Sequence, residues 1–315
     1  MKSDLKRQIG VLPKGESSFK KRIRFHQGWW RAFVLDEDEG NNPVQKGEQV
    51  CNTILNGSDD PHRKNFLSRK IVRAVLQTIE ERKKAGSGIL EENRLFNNLL
   101  SSQPLCFNFF GELKEDKVLA LNVLRQFWPE LTEVKNVMFE YAPEENHTSD
   151  NSAFDVAFMV MEGTQCGIVG LECKYTDAFS STLYTKSAYE SVYQKGLDRV
   201  FAAKYDEFVA PKYNQLFRNQ LIAEALVQNG KYQFAYTGLF CHQDDKSALK
   251  TGEEFQGMLK SGNQKFNIIT YQNFIEKIQR LEISWEFRQL TMLLWARYCG
   301  NPLSEKAFEN IDADE

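Results

Sequence analysis

The sequence predicts an α/β domain with a mixed central sheet flanked by helices, preceded by a basic N-terminal extension. Three observations carry this. Ala153 to Met161 and Cys166 to Tyr175 are apolar, strand-like runs joined by Glu162-Gly163-Thr164-Gln165, which reads as a β-hairpin. Tyr232 to Cys241 (YQFAYTGLFC) is a continuous apolar run, as expected of a buried strand. Around these runs lie segments whose apolar residues recur three and four apart, the period of helices packed on a sheet.

A chain of 315 residues with 42% hydrophobic content can bury the core of one elaborated domain, which excludes a long disordered protein. The net charge of −3 is unevenly spread: through residue 35, nine Lys and Arg face only Asp4 and Glu16, a basic end suited to a polyanion. The six cysteines show no C-x-x-C pair, so free thiols are expected. No stretch approaches 18 apolar residues and no apolar run opens the chain, so neither a membrane span nor a signal peptide is expected, and the location is read as cytoplasmic.

In chain order, residues 1 to 28 read as a solvated arm or a segment that orders on a partner. Gly28 to Leu35 (GWWRAFVL) suggests a strand or short docking element, and Asp36 to Pro43 an exposed loop. Asp59-Asp60-Pro61 resembles a cap for a helix from Arg63 to Ala85, with Phe66, Leu67, Ile71, Val75, Leu76 and Ile79 on one stripe. Its basic residues Arg63, Lys64, Arg69, Lys70 and Arg73 form a face that either is solvated or contacts phosphates. Gly86-Ser87-Gly88 ends this helix, dividing an extension (1–86) from the main domain (87–300). Leu90 to Leu100 reads as a short helix and Phe107 to Phe127 as a long buried one containing Glu112. Glu133 to Ala142 is a strand, followed by the hairpin. Ser180 to Thr185 is a polar loop within reach of a substrate. Lys186 to Lys204 and Tyr213 to Gln228 read as helices, and Tyr232 to Cys241 as a strand. Phe266 to Tyr271 is the last strand, followed by helices Gln272 to Leu281 and Ser284 to Tyr298 and a frayed acidic tail (301–315).

The hairpin carries charge where a strand core would exclude it. Glu172 and Lys174, two apart, project from one face of a strand, while Cys173 projects from the other. Asp155 on the partner strand joins them if the register places it opposite or diagonal. An ion pair on a solvated strand is the plain alternative. The apolar run Gly167 to Leu171 argues instead for a buried strand, where charge is costly and marks function. Two carboxylates and a lysine suit phosphoryl-ester hydrolysis: hard oxygen ligands hold Mg²⁺, with Mn²⁺ as the alternative, and the lysine positions or activates water. Gln215 and Arg218 share one face of the later helix, an amide and a guanidinium able to hold a phosphate or orient the lysine. The scattered His26, His62, His147 and His242 give no zinc pattern, and no Gly-x-Ser-x-Gly, Walker A loop or Gly-x-Gly-x-x-Gly occurs.

Asp155, sixteen residues, then Glu172-Cys173-Lys174 resembles the signature of the PD-(D/E)XK nuclease superfamily, with Phe154 in place of the proline, which is not a ligand. The resemblance implies a restriction-endonuclease-like core ordered helix, three strands, helix, strand. It also implies a metal held by Asp155, Glu172 and the backbone carbonyl of Cys173, with Glu112 of the first helix as a further carboxylate. Lys174 would position water, and Gln215 and Arg218, with Arg63, Lys64, Arg69 and Lys70, would bind substrate. The expected activity is Mg²⁺-dependent cleavage of DNA, of restriction or defence type, leaving 5′-phosphate and 3′-hydroxyl ends. The alternatives are an RNA-directed nuclease and a catalytically silent nucleic-acid-binding protein of the same fold. Dimerisation stays open.

Overall fold

The hairpin sits at the centre of a five-stranded mixed sheet. A computed structural model describes residues 2–312 apart from 44–46, 56, 58, 60–62, 87–89, 181, 198 and 261–264. A small ribbon of β1 (Glu39–Asn41) and β2 (Gln49–Ile54) precedes the main sheet. The main sheet has the spatial order β3 (Glu133–Tyr141), β4 (Phe154–Glu162), β5 (Gln165–Lys174), β6 (Phe234–Cys241) and β7 (Phe266–Thr270). The first three strands form an antiparallel meander, and β6 and β7 run parallel to β5. β5 is buried from Gly167 to Lys174, which accounts for its unbroken apolar run. Gly163 turns the hairpin at a φ of +58°, a conformation open to glycine. Gly170 is required for a different reason: a Cβ there would lie 2.4 Å from the Phe154 ring that crosses the strand.

One sheet face is covered by the Ser102–Phe110 helix, whose Phe107 stacks on Phe139 at 4.2 Å and whose Phe109 and Phe110 pack edge-on against Phe240. The Asn214–Gln228 helix packs on the other face through Ile222, Ala223 and Leu226. Cys106 and Cys173 meet under the first of these helices, so the thiol of Cys173 points into the core, away from its neighbours Glu172 and Lys174.

Several expected elements take another form. The N-terminal arm folds into helices Lys2–Ile9 and Ser18–Trp30, the second capped by the Ser17 hydroxyl and continued by a wide helical turn, Arg31–Leu35, where a strand or docking element was expected. Ile23, Phe25, His26, Gln27, Gly28 and Trp30 are buried, because the polar residues find polar partners: His26 bonds Ser304 and the Ala296 carbonyl, and Gln27 donates to Tyr175 and to the Arg297 carbonyl. The expected exposed loop pairs at Glu39–Asn41 with β2.

The helix expected from Arg63 spans Arg69–Ala85. Its cap is Ser68, whose hydroxyl accepts from the Ile71 N–H at 3.2 Å, while Arg63 adopts a left-handed φ of +50° that a helix cannot contain. Asp60 and Pro61 of the expected cap lie outside the described residues. The Gly86 stop is present at a φ of +65°. The long Phe107–Phe127 helix is three pieces, Ser102–Phe110, a tight turn Gly111–Lys114, and Lys117–Leu124, because Asp116 caps a new helix through the Leu119 N–H.

The C-terminal tail forms the helix Glu305–Asp312. Its Phe308 and Ile311 pack against Phe25 and Ile9, and Glu305 pairs with Arg22 at 2.8 Å. Ile23, Phe66, Ile71 and Val75 of the expected extension belong to the same apolar cluster as Phe139, Phe158 and Phe240 of the sheet. The Lys246–Gly257 helix between β6 and β7 was not anticipated.

Candidate active site

β4 and β5 pair Val156 with Leu171, so the next rung sets Asp155 opposite Glu172. β3 and β4 pair Phe139 with Val156 and Tyr141 with Phe154, which sets Glu140 at the level of Asp155. Three carboxylates thus stand abreast on three adjacent strands, and all line one cleft of about 850 Å³ together with Lys174. Like charges directly opposite on neighbouring strands repel. The consequence is a marked shift in acidity. Burial, reinforced by the charges of Glu172 and Glu140, holds the Asp155 carboxyl well above its ordinary range. Burial, with the charge of Glu172, pushes Glu140 up to about 7.

Each group is held in place. The Asp155 carboxylate accepts from the Cys173 N–H at 2.6 Å. Glu172 lies 3.3 Å from the Lys174 ammonium and accepts from Asn219 at 2.8 Å and Gln215 at 3.3 Å. Lys174 also donates to the Gln215 carbonyl oxygen at 2.7 Å and lies 5.0 Å from the Phe179 ring centroid. Gln215 and Asn219, one helical turn apart, therefore clamp the Glu172/Lys174 pair from the helix packed on this face. Gln103 donates to Glu140 at 3.1 Å, and Glu140 itself has a left-handed φ of +47°.

The structure thus brings Asp155, Glu172, Lys174 and Gln215 together. It places the other expected residues elsewhere. Glu112 accepts from the Ser68 hydroxyl at 2.6 Å and lies 3.8 Å from Lys70, at the start of the Arg69–Ala85 helix, and does not line the cleft; the break after Phe110 turns it there. Arg218 is bound through two nitrogens to Asp150, each at 2.5 Å, and so holds a protein carboxylate in place of a phosphate. Arg63 lies over the Phe96 ring, Lys64 pairs with Glu37, Lys70 faces Glu112, and Arg69 is exposed; none of the four lines the cleft.

In their place, Lys20 and Arg24 of the Ser18–Trp30 helix and Arg94 line the cleft and form its basic wall. Glu16 holds Arg24 at 2.6 Å, and Arg94 lies 3.6 Å from Asp177. Glu140 and Gln103 are the site residues that motif reasoning missed, whereas Asn219 lies on the polar helix segment that Gln215 and Arg218 mark. For Asn219 the signal was its spacing from Gln215. For Glu140 there was none, because the register of β3 on β4 spans a loop without a fixed turn.

Hard carboxylate oxygens, buried and crowded enough to hold on to their protons, suit a divalent cation, which would relieve the repulsion. Among the described residues, no group of three or more His, Cys, Asp and Glu side chains is arranged to hold a metal. The donor set that fits is two carboxylates, Asp155 and Glu172, with the Cys173 carbonyl and waters, as Mg²⁺ prefers.

A mixed α/β core with an acid–acid–lysine cluster at one end of its central strands defines the restriction-endonuclease-like class of fold. A family model described as PD-(D/E)XK nuclease superfamily matches residues 14–300, and the chain belongs to that superfamily. No curated protein and no solved structure matches it. The matched span begins before the Ser18–Trp30 helix and so includes the wall that Lys20 and Arg24 supply. Among the described residues, no helix is long and apolar enough to cross a membrane.

Proposed function

We propose that this chain is a Mg²⁺-dependent nuclease that hydrolyses phosphodiester bonds within DNA, of the restriction or defence kind. The observation that carries the reading is the Lys174 ammonium, held between Glu172 and Gln215 beside the Asp155 carboxylate and inside a cleft. Asp155, Glu172 and the Cys173 carbonyl would hold the metal, which supplies charge neutralisation at the phosphate and a more acidic bound water. Lys174 acts as a fixed cationic donor: its three N–H groups are shared among Glu172, Gln215 and the attacking water or the phosphate oxygen that gains charge. Gln215 sets where that ammonium sits, and Asn219 fixes the rotamer of Glu172. Lys20, Arg24 and Arg94 meet phosphates along the cleft, exchanging their present carboxylate partners for substrate.

Supercoiled, linear and single-stranded DNA and RNA, each incubated with Mg²⁺ and with EDTA, test this. Nicking or linearisation of supercoiled DNA in Mg²⁺ alone is expected. Cleavage of RNA only would reassign the substrate, and cleavage that survives EDTA, or none on any substrate, overturns the reading.

A further inference from the structure

We propose that Tyr184 is a stacking platform for an unpaired nucleobase beside the scissile phosphate; this rests on the nuclease reading above. The segment between β5 and the Ser187–Gly196 helix leaves the active site and is pinned by successive residues of the Asn214–Gln228 helix. The carbonyl oxygen of Gln215 that receives Lys174 also accepts the Ser180 N–H at 3.2 Å. Its neighbour Asn214 exchanges two bonds with the Tyr184 backbone, accepting from its N–H at 3.2 Å and donating to its carbonyl at 3.0 Å. Tyr184 and the catalytic lysine are therefore hung from adjacent side chains of one helix.

The ring is held as firmly as the backbone. The Arg218 guanidinium lies 4.3 Å from its centroid, and Arg218 is itself fixed by Asp150, which also accepts from the Tyr189 hydroxyl. Neutralised by Asp150, Arg218 serves as a flat support behind the ring. Tyr184 nonetheless keeps 43% of its surface exposed, and Leu183 beside it 44%. An aromatic ring backed by a guanidinium and partly open to solvent, four residues along the chain from Ser180 of the cleft lining, matches what a base requires. Every base has a π face, so such a contact selects for an unpaired nucleotide and tolerates any sequence.

The test uses the full chain carrying Lys174→Ala, to prevent turnover, with Mg²⁺ and a short single-stranded DNA in which 2-aminopurine is moved one position at a time. One position should be quenched on binding. Tyr184→Ala should abolish that quenching and weaken binding about 5- to 100-fold, and Tyr184→Phe should restore both. An abasic site at the same position should weaken binding to the Tyr184 protein and leave the Ala variant unaffected. Equal affinity and quenching with Tyr184→Ala, or an equal abasic penalty in both, overturns the platform while leaving the nuclease reading intact. Absence of both cleavage and nucleic-acid binding in the unsubstituted protein overturns the two together.

Discussion

At the scale of single residues, the carboxylates and the lysine have separable duties. Asp155→Asn removes a ligand charge, so Mg²⁺ affinity and cleavage should both collapse, while DNA binding persists or tightens because a negative charge facing the phosphate is gone. Lys174→Ala should lose roughly 10²- to 10³-fold in cleavage and keep most of its Mg²⁺ binding. Calorimetric Mg²⁺ titration beside cleavage rates separates the two; full turnover in either variant contradicts the assignment. Glu140 supplies a second expectation. Its carboxyl is raised to about 7, so folding favours the neutral acid: its stabilising contribution is complete below about pH 4, the range of an unfolded glutamate, and is lost as pH rises through 7. Melting temperature in EDTA should therefore fall between about pH 5 and pH 8, Glu140→Gln should flatten that fall, and Mg²⁺ affinity should rise over the same interval as protons are displaced. Asp155, Glu172 and Lys174 were legible because a two-residue period and a short turn place them without knowledge of the rest of the fold. Glu112 was misread because a helix break at Gly111 rotates it toward Ser68, and apolar spacing alone does not register a break that leaves every apolar residue buried.

At the scale of elements, the N-terminal helix changes what the basic end is for. Its charges, Lys20, Lys21, Arg22 and Arg24, obscured a buried face half of which is His26, Gln27 and Gly28, which hydrophobic periodicity cannot mark. Arg22 and Arg24 are structural as they stand, the first tied to Glu305 and Ser304 and the second to Glu16 and Asn52. Lys20, 3.7 Å from Glu16 and partly exposed, is the residue of this wall that can be changed without loss of the fold. Lys20→Ala should weaken DNA binding similarly for all sequences and lower the slope of log affinity against log salt by about 1. Fluorescence anisotropy across a salt series measures it, and an unchanged slope would remove Lys20 from the interface. Deleting residues 1–27 is a different experiment, since it removes buried Ile23, Phe25 and Gln27 and should abolish cooperative folding. The five strands of the main sheet, by contrast, were legible to within about two residues, because a buried strand needs an unbroken apolar run and its turns need Gly163 or a polar break; the small β1–β2 ribbon was not.

At the scale of the whole molecule, the ends of the chain close over its middle through one buried cation. Arg297 donates to the Asn65 carbonyl at 2.7 Å, to the Asn65 side chain at 2.6 Å and to Gln27 at 3.2 Å, joining the first and last large helices to the segment before the Arg69–Ala85 helix. No motif announces such a residue, because its two partners, Asn65 and Gln27, lie far from it in sequence. The pair Cys106 and Cys173 lies behind the active-site strand, the first thiol raised by burial to about 11 and the second also held well above its ordinary range by burial. Five of the six cysteines are buried and only Cys166 is partly exposed. Thiolate chemistry is therefore denied to all but one position while the fold is intact. A colourless disulfide reagent that releases a chromophore should thus read the protein as a clock, with about one thiol reacting promptly and the rest in step with global opening. Arg297→Ala should advance that clock and leave the prompt thiol unchanged, so that sulfur, uninvolved in the chemistry at the cleft, becomes the recorder of how long the cleft survives.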